Sequence, residues 1–224
     1  MEVRAPLTRE RITRAALEFI DAEGLDALSM RKLGASLGVE AMSLYNHVHN
    51  KDDLLSAVSD QIYADILAHF EADAGANVAW QARARSMAFA YWAVAREHPQ
   101  AFTLVHEKPI ESMNGMVMLA RCLEFFSDAG LSLADAATAF NTAAGWLLGT
   151  IAQEHGLMCR LTEGEGFTKN DVPGDLASIV DFRDACVASS PDERFAVGLD
   201  IVLAGIEARL GFSRTASPTV APGR

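Results

Sequence analysis

Hydrophobic positions recur at three- and four-residue intervals almost from end to end of this chain. After Thr8, the residues Ile12, Ala15, Ala16, Phe19 and Ile20 share one stripe of a helix that Gly24 can stop. Ser29 is placed to cap a second, short helix with Met30, Leu33 and Leu37 inward and Gly38 at its end. A third short helix is expected from about Glu40 to Val48, its inward positions being Leu44 and Val48. Asn50 with Asp53 resembles a capping box and opens a longer helix with Leu54, Val58, Ile62 and Ile66 on one face. Gly75–Asn77 breaks the pattern, and helices resume near residues 79–97, 99–106, 111–129 and 132–156, the last capped by Ser132 and Asp135. Residues 160–175 are polar and glycine-rich and read as a loop. A helix at 176–188 precedes Ser190-Pro191-Asp192-Glu193, a serine cap with proline in the first helical position and an acid in the third. The closing helix runs to about Leu210, and the tail beyond it has little to bury and is expected to be disordered. No repeat and no strand pattern emerges, so the chain is expected to be all-α.

Length and composition change this picture little. A chain of 224 residues can bury a core of native size, in one large domain or two small ones. No uncharged apolar run approaches the roughly 18–20 residues of a membrane span, and the N-terminus lacks the layout of a signal peptide, so a soluble cytoplasmic protein is expected. Cys122, Cys159 and Cys186 are odd in number and scattered, which favours reduced thiols over a disulfide framework.

Charge matters more through its distribution than its sum. The net charge is −11, yet residues 1–51 hold seven Lys/Arg (Arg4, Arg9, Arg11, Arg14, Arg31, Lys32, Lys51) against seven Asp/Glu. The whole excess of acid therefore lies in residues 52–224. A neutral head on an acidic body can meet a polyanion while the body repels it.

The two short helices of that head meet at Gly38-Val39, where glycine permits the positive backbone dihedral of a tight turn. Two short helices crossing steeply form a helix-turn-helix, whose second member can lie in the major groove of DNA. Its outward positions are Ala41, Met42, Ser43, Tyr45, Asn46 and His47. Their hydroxyl, amide and imidazole groups can reach phosphates or base edges, and Ala41 and Met42 can touch a thymine methyl. Arg31 and Lys32 flank the groove from the second helix, and Lys51 opens the fourth, all three as phosphate contacts. An ordinary solvated helix would carry Glu and Lys on such a face instead.

The segment "ALSMRKLGASLGVEAMSLYNHVHNKDDLL" resembles the DNA-binding domain of the tetracycline repressor (TetR) family. "GLSLADA" (130–136) resembles the start of the eighth helix in the subgroup nearest the tetracycline repressors, and "SPDERFAVGLDIVLAGIEARL" (190–210) resembles its closing helix. The resemblance spans roughly residues 8–210. It implies a helix-turn-helix DNA-binding domain (1–50), a connecting helix (51–70), a ligand-binding and dimerisation domain (71–212) and a free tail (213–224). Residue by residue, Arg31 takes the DNA contact of the second helix, Ala41, Met42, Ser43, Tyr45, Asn46 and His47 the recognition positions, and Lys51 the phosphate contact after them. Asn46 and His49 depart from the aromatic or basic groups of many relatives, so operator sequence does not carry over.

The resemblance further implies a homodimer built from residues 132–156 and 191–210 of each subunit. Ala143, Gly145 and Gly149 in the first segment, and Gly198, Ala204 and Gly205 in the second, would allow close approach, while Leu199, Val202, Leu203 and Ile206 would supply apolar area. The body is rich in methionine and aromatic residues, whose plain role is core. The positions nearest the family pocket are Leu67, Met87, Tyr91, Phe102, His106, Met116, Leu119, Phe140 and Asn141. They suit a mostly apolar effector anchored by Tyr91, His106 or Asn141. Tetracycline repressors hold a magnesium–drug chelate with histidine and carboxylate. Here Leu67 occupies a histidine position, and only a shift of alignment would bring His106 and Glu154 into place, so that effector is not expected.

Other signals point nowhere. Gly34-Ala35-Ser36-Leu37-Gly38 matches the nucleophile-elbow pattern but has no strand before it. His155 and Cys159 have metal-like spacing without clear further ligands, and Glu163-Gly164-Glu165-Gly166 reads as a solvated loop. The expectation is a ligand-responsive repressor that binds double-stranded operator DNA and a small-molecule effector as a homodimer, without enzymatic activity, cofactor, metal or membrane attachment. The alternatives are a helix-turn-helix protein acting through protein contacts and an all-α enzyme using the aromatic pocket.

Overall fold

A computed structural model describes residues 6–73, 79–107, 110–154, 168 and 170–210, and among these every regular element is helical. In chain order they are α1 (Arg9–Glu23), α2 (Met30–Leu37), α3 (Ala41–Leu44), α4 (Lys51–Asp73), α5 (Trp80–Glu97), a 3-10 turn (Ala101–Thr103) running into α6 (Leu104–Glu107), α7 (Met113–Asp128), α8 (Leu133–Gln153), a 3-10 turn (Gly174–Leu176), α9 (Ser178–Val187) and α10 (Pro191–Leu210). The polar loop expected at 160–175 lies mostly outside the described residues, as do the break at Gly75–Asn77, Cys159, His155, the Glu163–Gly166 stretch and the tail.

Side chains at the helix starts follow the capping chemistry of the sequence. Thr8 Oγ1 accepts from the Arg11 amide (3.2 Å), Ser29 Oγ from that of Lys32 (3.3 Å) and Ser132 Oγ from that of Asp135 (3.2 Å). Ser190 and Glu193 satisfy each other reciprocally, with the Glu193 amide donating to Ser190 Oγ (3.3 Å) and the Ser190 amide to Glu193 Oε2 (2.8 Å). That box sets a register for α10 that buries Phe195, Leu199, Leu203 and Ile206. Gly24 and Gly38 end α1 and α2 with φ of +88° and +65°, the region that glycine enters without steric cost.

The packing divides the described residues into two compact units. One comes from Met1–Val78 with Ser86–Cys122, the other from Ala79–Arg85 with Leu123–Arg224. The first therefore joins the expected DNA-binding head and connecting helix to most of α5 and α7. Its core is apolar, with Ile12, Ile20, Leu33, Leu44, Leu54, Val58, Ile62 and Ile66 fully buried. Polar joints tie its elements together: Asp21 of α1 accepts from the Ala101 amide (3.2 Å) and meets His98 Nδ1 (2.7 Å), and Asp60 of α4 accepts from the Asn114 amide (2.9 Å) and Nδ2 (3.0 Å) at the start of α7.

The second unit centres on α8 against α10, where the Trp146 and Phe195 rings lie 5.5 Å apart. A Cβ on Gly198 would stand 2.7 Å from Trp146 Cζ2, so this glycine makes room for an indole of its own chain. Arg194 Nη2 donates to Glu154 Oε1 at 2.7 Å, Arg83 pairs with Asp128 at 2.6 Å, and Arg85 pairs with Asp200.

Candidate nucleic-acid interface and effector-binding core

The reading surface grows out of one close approach. A Cβ on Gly34 would lie 2.9 Å from the Val39 carbonyl oxygen and 3.1 Å from the Ala41 nitrogen, so only glycine lets α2 receive the start of α3. The Val39 amide donates to the Gly34 carbonyl (2.8 Å), closing the turn around Gly38. Ser36 Oγ, the residue of the nucleophile-like pattern, donates to the Leu33 carbonyl (2.9 Å) as a helical hydroxyl does.

The third helix is shorter than the pattern predicts. Regular α-helix ends at Leu44, and Tyr45–His47 continue as a tight turn in which the His47 amide donates to the Leu44 carbonyl at 2.9 Å. The His47 amide thus reaches back three residues rather than four, while the Val48 amide donates to the same Leu44 carbonyl (3.0 Å). Beyond the turn, Arg9 Nη1 donates to the His47 carbonyl (3.0 Å), and the His49 amide donates to Asp53 Oδ2 (2.8 Å). Leu44 and Val48 are buried, as expected.

Around those two anchors the candidate DNA contacts face outward. Met42 is 70% exposed, Tyr45 43%, and Arg31, Lys32 and Asn46 are exposed as well, while Ala41, Ser43 and His47 are half-buried. Among the described residues, no hydrogen bond or ion pair holds the Arg31 or Lys32 side chain. Lys51 differs: its half-buried ammonium donates to the Leu28 carbonyl at 2.7 Å, which ties α4 to the start of α2 and leaves its other donors outward.

Sequence reasoning did not single out the Arg9–Asp53 pair. Its guanidinium grips Asp53 through Nη1–Oδ2 (3.0 Å) and Nη2–Oδ1 (2.6 Å), and the Asp53 amide donates to Asn50 Oδ1 (2.8 Å). The Arg9 guanidinium and the His49 amide together hold the Asp53 carboxyl down at about 2. Half of the predicted capping box is thus present, but the carboxylate serves His49 and Arg9 rather than the Asn50 amide. Partners 44 residues apart leave no local signal.

The expected effector residues are only partly brought together. Leu67, Met87, Tyr91 and Phe102 are buried in the first unit, where Tyr91 and Phe102 meet edge to face at 6.2 Å. The Tyr91 hydroxyl donates to Met118 Sδ (3.2 Å), and Cys122 Sγ lies 3.7 Å from the same sulfur. Burial pushes the Tyr91 phenol well up and the Cys122 thiol to about 12, leaving both neutral. Met118 and Cys122 thus join this core, whereas Met116 is 47% exposed and Leu119 half-buried. Phe140, half-buried, and Asn141, exposed, belong to the second unit, and the His106 side chain lies outside the described residues. Glu154, the carboxylate considered for a metal chelate, is already paired with Arg194.

Of the expected interface residues, Leu199, Leu203 and Ile206 turn into their own unit at 2–6% exposure, because the register of α10 points them at α8. This corrects the assignment of their area to a partner. Val202 and Ala143 are half-buried, and Gly145 and Gly149 are exposed with open space above them. The exposed apolar face of α10 is instead Val197 and Ile201, continued by Ala204, Gly205 and Ala208.

Comparison with known proteins matches both ends of this architecture. Residues 12–58 fit the model for bacterial regulatory proteins of the tetR family, and residues 74–210 fit that for the tetracyclin repressor-like C-terminal domain. The transcriptional repressor DrrR1 of Streptomyces coeruleorubidus is 30% identical over 213 residues, covering 90% of this chain and 77% of that protein. The class D tetracycline repressor of Escherichia coli is 29% identical over 207 residues, 92% of each chain. The crystal structure of ActR from Streptomyces coelicolor in complex with actinorhodin superposes with a TM-score of 0.73 at 27% identity, covering 92% of this chain and 100% of that one. No described helix is long and apolar enough to cross a membrane. With a glycine-pinned helix-turn-helix at one end and the repressor-like domain at the other, the chain belongs to the TetR family of ligand-responsive, DNA-binding transcriptional regulators.

Proposed function

We propose that this regulator is a repressor whose dimer reads its operator through Arg31, Lys32, Ala41, Met42, Ser43, Tyr45, Asn46, His47 and Lys51, and is released by a small, mostly apolar effector. The observation that carries the reading is the exposure of Met42, Tyr45 and Asn46 on α3 and the turn that follows it, together with the exposed cations Arg31 and Lys32 of α2, which have no partner among the described residues. The buried group of Leu67, Met87, Tyr91, Phe102, Met118 and Cys122 supports an apolar effector, since it is made of aromatic faces and soft sulfur, with its one phenol hydrogen held only by the weak acceptor Met118 Sδ. That ActR was solved with actinorhodin supports a small-molecule effector of that kind here. Leu67 and the paired Glu154 speak against a magnesium chelate.

Dimerisation is supported by the charge-free stripes on α8 and α10. On α8 they comprise Ala134, Thr138, Asn141, Gly145, Gly149 and Ala152, and the Thr138 hydroxyl donates to the Ala134 carbonyl (2.9 Å), so the threonine does not demand water. A dimer places its two reading heads about 34–36 Å apart, or a multiple of that, to enter successive major grooves. An effector that favours another spacing lowers operator affinity by its differential affinity for the two states. Helix α4, from Lys51 in the head to Asp73, is the lever.

The test is binding to duplex DNA from upstream of its own gene, titrated with salt against a scrambled duplex. Tight, salt-dependent and sequence-selective binding is expected, with Arg31→Ala lowering both affinity and the salt slope, by about 0.9 for each phosphate that is no longer neutralised. Equal affinity for both duplexes would defeat the reading.

A further inference from the structure

Arg9 is one of the cations of the head and, by charge alone, is one more candidate for a phosphate. We infer that Arg9 is instead a positioning residue: paired with Asp53, it fixes the direction in which the reading turn presents Tyr45, Asn46 and His47. The inference rests on the operator-binding reading above.

The geometry supports it at three points. First, three of the guanidinium's five donors are engaged internally. Its two terminal nitrogens make the paired contact with both Asp53 oxygens at 2.6 and 3.0 Å, and Nη1 also donates to the His47 carbonyl at 3.0 Å. A planar fork matches a carboxylate in this way, and a lysine ammonium does not. Second, the pair reaches both sides of the same buried anchor. Arg9 holds the carbonyl of His47, Asp53 holds the amide of His49, and the residue between them, Val48, is 1% exposed. Residues 47–49 are thereby gripped by α1 and by the first turn of α4. Third, α2 fixes the start of α3 at Gly34, but the far end of α3 has few anchors of its own. It has one turn of regular helix, its N-cap Glu40 makes no side-chain capping bond, and Leu44 is its only buried residue.

A carboxylate at this place is unfavourable for meeting phosphate, and that gives the test its sign. If Arg9 contacted a phosphate, Asp53 would compete for it, and Asp53→Asn would free the guanidinium and tighten binding. If Arg9 positions the turn, Asp53→Asn removes half of the clamp and weakens binding. Arg9→Lys separates the readings again, because it keeps the charge and loses the fork.

The experiment is the salt titration on the upstream duplex with the full chain, comparing wild type, Asp53→Asn, Arg9→Lys and the charge-neutral pair Arg9→Met/Asp53→Asn. Each is checked for helical content and thermal midpoint and assayed well below that midpoint. The expected result is a loss of operator affinity of about tenfold in each single variant, on the scale of one well-made base contact. The double variant should lose no more than a single one, with the wild-type salt slope. Tighter binding by Asp53→Asn, a fall in slope of about 0.9 per site in the double variant, or wild-type affinity in Arg9→Lys would overturn the assignment. Arg31→Ala in the same titration keeps this failure distinct from failure of the reading head. If Arg31→Ala weakens binding and the Arg9 and Asp53 variants do not, only the positioning role is lost.

Discussion

Asp53 shows how much one side chain can be asked to do. It accepts from the His49 amide, receives the Arg9 fork, and its carboxyl sits at about 2 instead of the usual 3.8. A carboxyl with a lowered folded-state value stabilises the fold above its ordinary value, and that contribution is lost as pH falls through its folded value. Here the window runs from about pH 4 down to about pH 2. Because Arg9 is 42% exposed, screening leaves the contribution at about 1 kcal/mol, not the full amount implied by the shift. The expected outcome is that thermal midpoints of wild type and Asp53→Asn differ at pH 5 and converge as pH approaches 2. A difference that stays constant over that range would show that the carboxylate's charge is not what stabilises the head. The residue scale was also where the sequence was least legible. Asp53 is visible in it as a capping acid three residues after Asn50, but Arg9 lies 44 positions away, and no local pattern announces a partner at that distance. Lys51 is similar: its charge suggested a phosphate, and its bond to the Leu28 carbonyl became apparent only with the fold.

At the scale of elements, the helices were largely readable, because their starts are written in side-chain chemistry. Ser29, Ser132 and Ser190 all cap where the spacing placed them, and Thr8 caps α1 as well. The end of α3 was not readable, because Leu44 and Val48 are spaced as on a helix, and hydrophobic period carries no information about the tight turn over Tyr45–His47 that replaces its last part. Gly34 did leave a signal. Glycine costs about 0.5–1 kcal/mol in the middle of a helix, and its presence in the eight-residue α2 requires some return. The return is the approach of Val39 and Ala41, backbone atoms that cannot step aside for a methyl group. Gly34→Ala is therefore expected to destabilise the head by about 1–3 kcal/mol, the usual range for overpacking, and to weaken operator binding through displacement of α3. Denaturant unfolding checks the first effect and duplex binding the second. Because Ala is otherwise the better helix former, a stability equal to wild type would mean that the turn adapts and that the close approach does not specify it.

At the scale of the whole molecule, the distinction that matters is between apolar residues that complete a chain's own core and those left for a second copy. The stripe of α10 looked continuous in the sequence, and the period alone could not say which side of it faced inward. Burial separates the two sets: Leu199 is 2% exposed and Ile201 68%, though they lie two residues apart. Leu199→Ala is expected to cost about 2–5 kcal/mol of stability, as core truncations do, and to leave association intact in whatever remains folded. Ile201→Asp is expected to leave the fold of each chain unchanged and to abolish the dimer. A two-fold interface uses each patch twice, so the variant loses the burial of two isoleucines, about 1.5–3 kcal/mol apiece, and adds two carboxylates with no partner. Sedimentation at micromolar concentration reads the outcome directly. Operator binding should fall with it, since a single head holds only one half-site and forfeits the binding energy of the other. If Ile201→Asp remained a dimer and Leu199→Ala dissociated while folded, the interface would lie on the face assigned here to the core. The register of α10 set by Ser190 and Glu193 would then be the point to revise.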